Sequence, residues 1–240
     1  VQGTAANDWL NLPVIGAGGL ASIAGGTGVD MMSFASLDTS IQVDMHTDQV
    51  RAQGSTPFSL VMDSIENVTG TSFDDVFYGS DRAETFRGLG GKDMFHGWYD
   101  SPVDNDGVSC QDLLSYALST AGVSASLLRG RGWTGDAQED VFRSIENLTG
   151  TNHDDFLWGD HGANKLTGGH GDDVIGGYDG NDYILAGHGT DTIVFSGNRA
   201  DYSITQSGIR TEVIDNVGRD GHDVIGHAEV LRFADGDFIL

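Results

Sequence analysis

Five consecutive nine-residue units run from Gly150 to Val194: GTNHDDFLW, GDHGANKLT, GGHGDDVIG, GYDGNDYIL and AGHGTDTIV. The eighth position of every unit is a large aliphatic residue, namely Leu157, Leu166, Ile175, Ile184 and Ile193. One apolar residue per unit does not match a helix, whose apolar positions recur at spacings of three and four. The pattern predicts a solenoid of short strands, with two units, or 18 residues, in each coil.

The sixth position explains much of the chain's acidity. It carries Asp155, Asn164, Asp173, Asp182 and Asp191. Residues in equivalent positions of neighbouring coils stack about 4.8 Å apart, so these carboxylates repel one another unless a cation lies between them. Carboxylate and carbonyl oxygens suit calcium far better than zinc or copper. Glycines at the other turn positions permit positive φ and let main-chain carbonyls approach an ion closely.

The units match GGxGxDxUx in full or in part, and the chain therefore resembles the RTX (hemolysin-type) calcium-binding repeat proteins. The resemblance is strongest over residues 141–195, clear over 61–96, and weaker in GTAANDWLN (Gly3–Asn11) and GGTGVDMMS (Gly25–Ser33). It implies an all-β parallel β-roll, a β-solenoid that binds several calcium ions. It also implies a secreted, extracellular protein exported by type I secretion machinery.

The resemblance further implies a set of calcium ligands in the turns. The expected metal-binding residues are Gly150, Asn152, Asp155, Gly159, His161, Asn164, Gly168, Gly169, His170, Gly171, Asp173, Gly177, Tyr178, Gly180, Asp182, Gly187, Gly189 and Asp191, with Gly70, Ser72, Asp75, Leu89, Gly91 and Asp93 in an earlier array. His170 is expected to contribute its carbonyl, not its ring. Glu66 and Glu146 also occupy sixth positions, where calcium binding and ordinary hydrogen bonding in a turn are equally compatible with the sequence.

The earlier array comes from an internal duplication. SIENVTGTSFDDVFYG begins at Ser64 and SIENLTGTNHDDFLWG begins at Ser144, an offset of 80 residues. In the first copy the inward position holds Val68, Phe77, Phe86 and Phe95, so its core is expected to be wider or packed differently. We therefore expect two tandem rolls.

Three domains follow: a first β-roll unit over 1–104, a second over 105–195, and a C-terminal cap over 196–240 that overlaps a secretion signal. Strand-containing insertions are expected over 33–62 and 115–143, and DSPVDNDGVS (100–109) is the best linker candidate. The cap segment leaves the nonapeptide register, and its final DFIL resembles the acidic residue and apolar triplet that close many type I secreted proteins. The start at Val1, inside a degraded repeat, indicates a piece of a longer protein with an upstream domain.

Composition excludes several classes. The net charge is −24, with 12 Lys and Arg against 36 Asp and Glu, so nucleic-acid binding is disfavoured. No apolar run is long enough to form a transmembrane segment. With 36 glycines in the chain and one inward residue per unit, we expect that apolar burial alone cannot offset the conformational entropy. Metal binding is therefore expected to be coupled to folding.

Other residues have competing interpretations. His161, His170 and His188 occupy the third turn position; an exposed polar role is favoured over a transition-metal site, although His170 and His188 should stack. The aromatic residues Trp98, Tyr99, Trp133, Trp158 and Tyr178 are interpreted as edge-covering residues, with a sugar-stacking platform as the alternative. Cys110 is single and is interpreted as a small residue before a buried strand, with a thiol nucleophile as the alternative.

No catalytic residues are predicted, because neither HExxH nor GxSxG occurs in the sequence. Two functions remain open. The first is a calcium-binding module that folds after secretion and stabilises or caps a larger secreted protein. The second is a calcium-dependent accessory module that binds an extracellular polysaccharide or cell surface, as in alginate-modifying enzymes.

Overall fold

The structure, a computed structural model, describes residues 2–11, 20–52, 58–97 and 111–240. Within these ranges the chain has 25 strands, two short 3-10 helices and no α-helix, which confirms the predicted all-β class. It divides into a first unit (Val1–Leu114 with Glu139–Ile145) and a second unit (Ser115–Gln138 with Glu146–Leu240). The division at residues 104 and 195 stays a prediction. The linker candidate, Trp98, Tyr99 and Cys110 lie outside the described residues.

Most strands are only three residues long. The first eleven strands are β1 (Trp9–Asn11), β2 (Leu20–Ala24), β3 (Met31–Ser33), β4 (Ile41–Asp44), β5 (Gln49–Ala52), β6 (Ser59–Asp63), β7 (Asn67–Thr69), β8 (Val76–Tyr78), β9 (Thr85–Arg87), β10 (Met94–His96) and β11 (Leu113–Ser115). Those that follow are β12 (Ser124–Ser126), β13 (Arg131–Thr134), β14 (Val141–Arg143), β15 (Asn147–Thr149), β16 (Phe156–Trp158), β17 (Lys165–His170), β18 (Val174–Gly176), β19 (Tyr183–His188), β20 (Thr192–Val194), β21 (Tyr202–Ser207), β22 (Arg210–Asp215), β23 (His222–Gly226), β24 (Val230–Phe233) and β25 (Gly236–Ile239). The 3-10 helices span Gly135–Ala137 and Arg199–Asp201.

The repeats of the second unit form a parallel β-roll with the predicted 18-residue coil. Successive strands alternate between two sheets, so that β16, β18 and β20 lie side by side in one and β15, β17 and β19 in the other. Leu157 pairs with Ile175 and Leu166 with Ile184. All five inward residues, including Ile193, are fully buried. A single column of aliphatic side chains from each sheet thus fills the interior of the roll.

The first unit has the same coil but an aromatic core. Phe77 pairs with Phe95 across β8 and β10, and Val68 pairs with Phe86 across β7 and β9. All four side chains are fully buried. The Phe77 and Phe95 rings stack with centroids 4.9 Å apart, while Phe86 is tilted against Phe77 at 5.7 Å. The core therefore packs differently from the aliphatic one, as the sequence predicts.

The two insertions extend the sheets through antiparallel strands. In the first unit β4, β5 and β6 form an antiparallel meander, and β4 then pairs in parallel with β8. In the second unit β12 and β13 form an antiparallel pair, and β12 pairs in parallel with β16. Each insertion therefore supplies one strand that takes the place of a coil in the stack.

The C-terminal segment covers the last coil. Strands β21, β22 and β23 form an antiparallel meander, and β23 pairs in parallel with β19. In the other sheet β24 pairs in parallel with β20, and β25 folds back on β24. Phe195, Tyr202 and Phe233 form an aromatic cluster with centroids 5.1–5.3 Å apart. The predicted C-terminal β cap is therefore present.

Two adjacent residues of β19 allow a test of which side chains face the core. Ile184 is fully buried, whereas Tyr183 is 49% exposed on the outer face of the same strand. We expect Ile184→Ala to lower the unfolding free energy of the calcium-loaded protein by about 2–5 kcal/mol, because it leaves a cavity in the core column. Tyr183→Ala is the control and should cost under about 1 kcal/mol. Equal losses in urea unfolding monitored by circular dichroism would contradict the assigned faces.

Candidate metal centre

An acidic residue precedes most repeat strands of the second unit, and these residues are connected by main-chain hydrogen bonds. The N–H of Asp155 donates to Asp173 Oδ1 at 2.8 Å, and the N–H of Asp173 donates to Asp191 Oδ1 at 2.9 Å. On the other edge the N–H of Asp182 donates to Asp223 Oδ1 at 2.9 Å. The sixth-position carboxylates are therefore buried and ordered between successive coils, with one oxygen of each used to join two turns.

The first unit repeats this arrangement. The N–H of Asp75 donates to Asp93 Oδ1, and the N–H of Asp93 donates to Asp140 Oδ1, each at 2.8 Å. Toward the N-terminus, the N–H of Asp8 donates to Asp30 Oδ1 at 2.8 Å. Both copies of the duplication therefore place a column of acids at the turns.

In some turns both carboxylate oxygens are satisfied within the turn. The N–H of Thr151 donates to Asp155 Oδ2 at 2.6 Å, and its hydroxyl donates to Asp155 Oδ1 at 3.1 Å. Thr71 bonds to Asp75 in the same way, at 2.6 and 3.0 Å. We call these hydroxyl turns, because Thr or Ser at the second position closes them. They are Thr71–Asp75, Ser80–Glu84 and Thr151–Asp155. In the similar Thr4–Asp8 turn the amide and the hydroxyl of Thr4 both donate to Asp8 Oδ2.

In a second group of turns, one oxygen of the buried carboxylate accepts no hydrogen bond. Among the described residues these oxygens include Oδ2 of Asp30, Asp93, Asp173, Asp182 and Asp191. The same five turns are those in which the second and fourth positions both have positive φ: Gly26 and Gly28, Leu89 and Gly91, Gly169 and Gly171, Tyr178 and Gly180, and Gly187 and Gly189. We call them glycine turns. Their left-handed backbone turns the amides away from the carboxylate, which leaves one buried oxygen per turn for another partner.

In four of the five glycine turns the first residue is also a glycine, which leaves space beside the carboxylate; the turn of Asp191 has Ala186 there. A Cβ built on Gly168 would lie 2.2 Å from Asp173 Oδ2 and 2.4 Å from the carbonyl oxygen of Ala186. A Cβ on Gly177 would lie 1.8 Å from Asp182 Oδ2. Carboxylate and carbonyl oxygens therefore converge where a side chain would otherwise stand. This donor set of hard oxygens fits calcium.

Burial makes the ionised form of these acids costly. Loss of solvation raises the pKa of Asp173 and of Asp182 to about 7 each. Burial, reinforced by the neighbouring Asp140, raises the pKa of Asp93 to about 9. In the hydroxyl turn of Asp75, burial raises the pKa, but hydrogen bonds from Thr71 and Ile41 oppose this effect, and the pKa of Asp75 rises only to about 6. A bound cation would reverse these shifts, because it stabilises the charged carboxylate.

Two sixth-position residues that are not aspartate, Asn164 and Glu66, also form hydrogen bonds between turns or within them. Asn164 Oδ1 accepts the N–H of Asp160, and its Nδ2 donates to the Glu146 carbonyl, each at 2.8 Å. Glu66 Oε2 accepts the N–H of Asp30 at 2.9 Å, so its carboxylate takes part in a hydrogen bond between turns. Asn164 is uncharged and its side chain is satisfied by the protein.

The sequence interpretation missed several acids of these columns. Asp30, Asp140 and Asp223 are buried, and Glu229 Oε2 accepts the N–H of Asp191 at 2.8 Å. A recognisable signal was present, because each is followed two residues later by the buried residue of a short strand, as Asp223 is by Ile225. Asp140 and Glu229 have no glycine turn before them, so neither matches the GGxGxD pattern.

The nonapeptide register also resumes inside the cap. GRDGHDVIG (Gly218–Gly226) places Ile225 beside Ile184, and the N–H of His222 donates to Asn181 Oδ1 at 2.9 Å. Gly221 lies over Gly180, whose carbonyl oxygen a Cβ on Gly221 would meet at 1.6 Å. The expectation that residues 196–240 leave the register is therefore wrong for this stretch. It was missed because the β21–β22 hairpin lengthens the interval between Ile184 and Ile225 to 41 residues.

The aromatic residues are partly brought together. Trp158 lies flat over Gly176, where a Cβ would come within 2.3 Å of its Cζ3, and its ring centroid is 5.6 Å from that of Tyr178. Trp133 lies on a different strand, β13, and is 39% exposed. The contact of Trp158 with the glycine of the neighbouring strand agrees with an edge-covering role.

A family model described as the RTX calcium-binding nonapeptide repeat matches the chain in four copies, over residues 65–98, 149–184 and 171–198. The chain carries RTX calcium-binding repeats. Repeats of this family bind calcium, so the cofactor expected from the sequence is confirmed, and the matches fall in both copies of the duplication. Within the described residues no group of three or more His, Cys, Asp and Glu side chains could hold a metal, as expected where main-chain oxygens supply many ligands.

The crystal structure of the extracellular lipase LipA from Serratia marcescens is similar over 95% of this chain and 36% of the lipase chain, at 15% identity and a TM-score of 0.19. A search of curated proteins finds no match. The described part of the chain contains no helix long and apolar enough to cross a membrane.

The raised pKa values predict opposite pH dependences with and without calcium. Without calcium, the raised pKa of Asp173 and Asp182 stabilises the fold at low pH, and this stabilisation is lost as the pH rises from about 4 through about 7. With calcium, protons compete with the ion, so stability should fall as the pH drops below about 7. The folded fraction, measured by far-UV circular dichroism between about pH 5 and pH 8 in calcium and in EDTA, tests both dependences. The same slope in both solutions would contradict the assignment.

Proposed function

We propose that this chain is a calcium-dependent folding module that becomes ordered after export and then stabilises the protein to which it belongs. The observation that carries the proposal is the coincidence of the five glycine turns with five buried carboxylate oxygens that accept no hydrogen bond. A buried, unpaired charge is among the most destabilising features a fold can contain. The fold therefore contains a set of positions that are costly until a cation occupies them.

The proposed ligands come from both kinds of turn. The glycine turns would supply the unpaired carboxylate oxygen and carbonyls of their glycines, and the hydroxyl turns that begin each stack would supply main-chain carbonyls, such as those of Gly150 and Asn152. His170 would contribute its carbonyl. Asp30, with Gly26 and Gly28, adds a position to the set expected from the sequence. The bound ion supplies the positive charge that allows these acids to be ionised while buried.

Ion supply then decides whether the module folds. Extracellular calcium modules have dissociation constants of about 0.1–1 mM, so such sites stay empty at the submicromolar calcium of a cytosol. At an ion concentration about ten times the dissociation constant, one site adds roughly 1.4 kcal/mol. Five such sites would add about 7 kcal/mol, which is comparable to the whole stability of an ordinary domain.

This dependence suits a protein that leaves the cell unfolded. In low calcium the glycine-rich chain, with a net charge of −24, would be repelled by its own carboxylates and remain extended. In millimolar calcium outside the cell it would fold and oppose return through the channel. We therefore propose type I secretion machinery and an upstream domain of the same protein as its partners.

A calcium titration of the EDTA-treated chain tests the proposal, with far-UV circular dichroism as the measurement and magnesium as the control ion. We expect β-structure to appear cooperatively at submillimolar to millimolar calcium and not with magnesium, which requires octahedral geometry and retains its waters. Asp173→Asn should raise the calcium midpoint several-fold, because it removes the unpaired oxygen but keeps the acceptor for the Asp155 N–H.

Asp172→Asn is the matched control. Asp172 is the preceding residue, its side chain is exposed, and its Oδ1 accepts the N–H of Thr190, which an Asn can also accept. Its midpoint should stay close to that of the unaltered chain. A full β-spectrum in EDTA that calcium does not change would overturn the folding proposal, and equal shifts in both variants would overturn the assignment of Asp173.

A further inference from the structure

Two histidine rings of the second unit are stacked on the exposed side of its turns. Strands β17 and β19 pair in parallel with His170 directly opposite His188. The ring centroids are 4.7 Å apart, and the planes differ by 24°. The N–H of Gly171 donates to the His188 carbonyl at 2.9 Å, which ties the two turns together. The main chain therefore holds both imidazoles at the spacing of neighbouring strands.

These rings are also free to bind a ligand. Both residues are exposed, and within the described residues neither ring takes part in a hydrogen bond or an ion pair. Two other histidines of the unit differ in this respect. His161 Nδ1 lies 2.7 Å from Asp179 Oδ2, and His222 Nε2 lies 3.7 Å from Glu212 Oε2. His161 occupies the same third turn position on the opposite edge, so it provides an internal comparison.

We propose that His170 and His188 chelate a divalent transition-metal ion of the zinc, nickel or copper class through their ring nitrogens, with water in the remaining positions. Imidazole nitrogen is a preferred ligand of these metals, whereas calcium prefers oxygen, so the site would differ in selectivity from the buried turns. Two metal–nitrogen bonds of about 2.0–2.1 Å join nitrogens up to about 4.2 Å apart. Exposed side chains rotate freely, so rings 4.7 Å apart can reach this separation.

The local charge favours a cation at this position. Asp172 lies two residues after His170 in the same turn, and its side chain is exposed. Its Oδ1 accepts the N–H of Thr190, in the next turn, at 2.7 Å. The chain as a whole carries a net charge of −24. A negative potential of this kind raises the local concentration of metal ions.

The site would clamp two successive turns from outside. The buried acids of the same turns, Asp173 and Asp191, face the interior. A metal on the ring nitrogens and an ion on the buried oxygens would therefore use different atoms of one pair of turns. Binding to the folded state alone would stabilise it further, by mass action.

Isothermal titration calorimetry with zinc alone, on the full chain in saturating calcium, tests the proposal. We expect one zinc ion per chain, with binding weakened roughly tenfold or more in His188→Gln and in His170→Gln. His161→Gln is the matched control and should keep the affinity of the unaltered chain. Circular dichroism in calcium checks that each variant folds, and an unchanged calcium midpoint in His188→Gln shows that only its ring nitrogens were lost.

Histidine proton spectra provide the second measurement. Zinc should shift the ring resonances of two of the eight histidines, those absent in the His170→Gln and His188→Gln spectra. No zinc binding by the unaltered chain would overturn the proposal. Zinc binding that survives in the double variant, or that releases calcium, would also overturn it, because the metal would then occupy other residues.

Discussion

The structure depends on a buried carboxylate between each pair of coils. One oxygen accepts the main-chain N–H of the acid in the neighbouring coil, as Asp173 does from Asp155, and so fixes the register at 18 residues. The other oxygen decides how the turn is closed. Where a threonine occupies the second position, its amide and hydroxyl satisfy the carboxylate. Where two residues with positive φ replace that arrangement, the oxygen is left for a cation.

The same constraint explains the composition. Each nine-residue unit contributes only one large inward residue, so hydrophobic burial per residue is small, and we expect that it does not by itself offset the ordering of a glycine-rich chain. The acids that set the register also repel one another. In the function proposed here, a hard divalent cation would compensate for both, because it would neutralise the columns and add binding free energy only to the folded state.

Much of this could be predicted from the sequence. The inward column, the 18-residue coil, the aromatic core of the first copy and the repeat of Asp173 over Asp155 all follow from spacing alone. The two kinds of turn could not be predicted from the sequence. GTNHDD and GGHGDD differ visibly at the second position, but the turns differ in which amides point at the carboxylate, and the sequence does not show this. Gly218–Gly226 and Asp140 were missed since hairpins of variable length separate them from the regular array. The insertion strands were expected, but periodicity carries no information on their antiparallel pairing.

Anomalous diffraction from a crystal of the chain grown in millimolar calcium tests the central claim most directly, because it locates the ions. The account predicts peaks about 2.3–2.6 Å from Oδ2 of Asp30, Asp93, Asp173, Asp182 and Asp191, each with main-chain oxygens as further ligands. It predicts no peak whose only carboxylate ligand belongs to a hydroxyl turn. Well-ordered glycine turns with no peak at these oxygens would contradict it, since the buried carboxylates would then be tolerated without a cation.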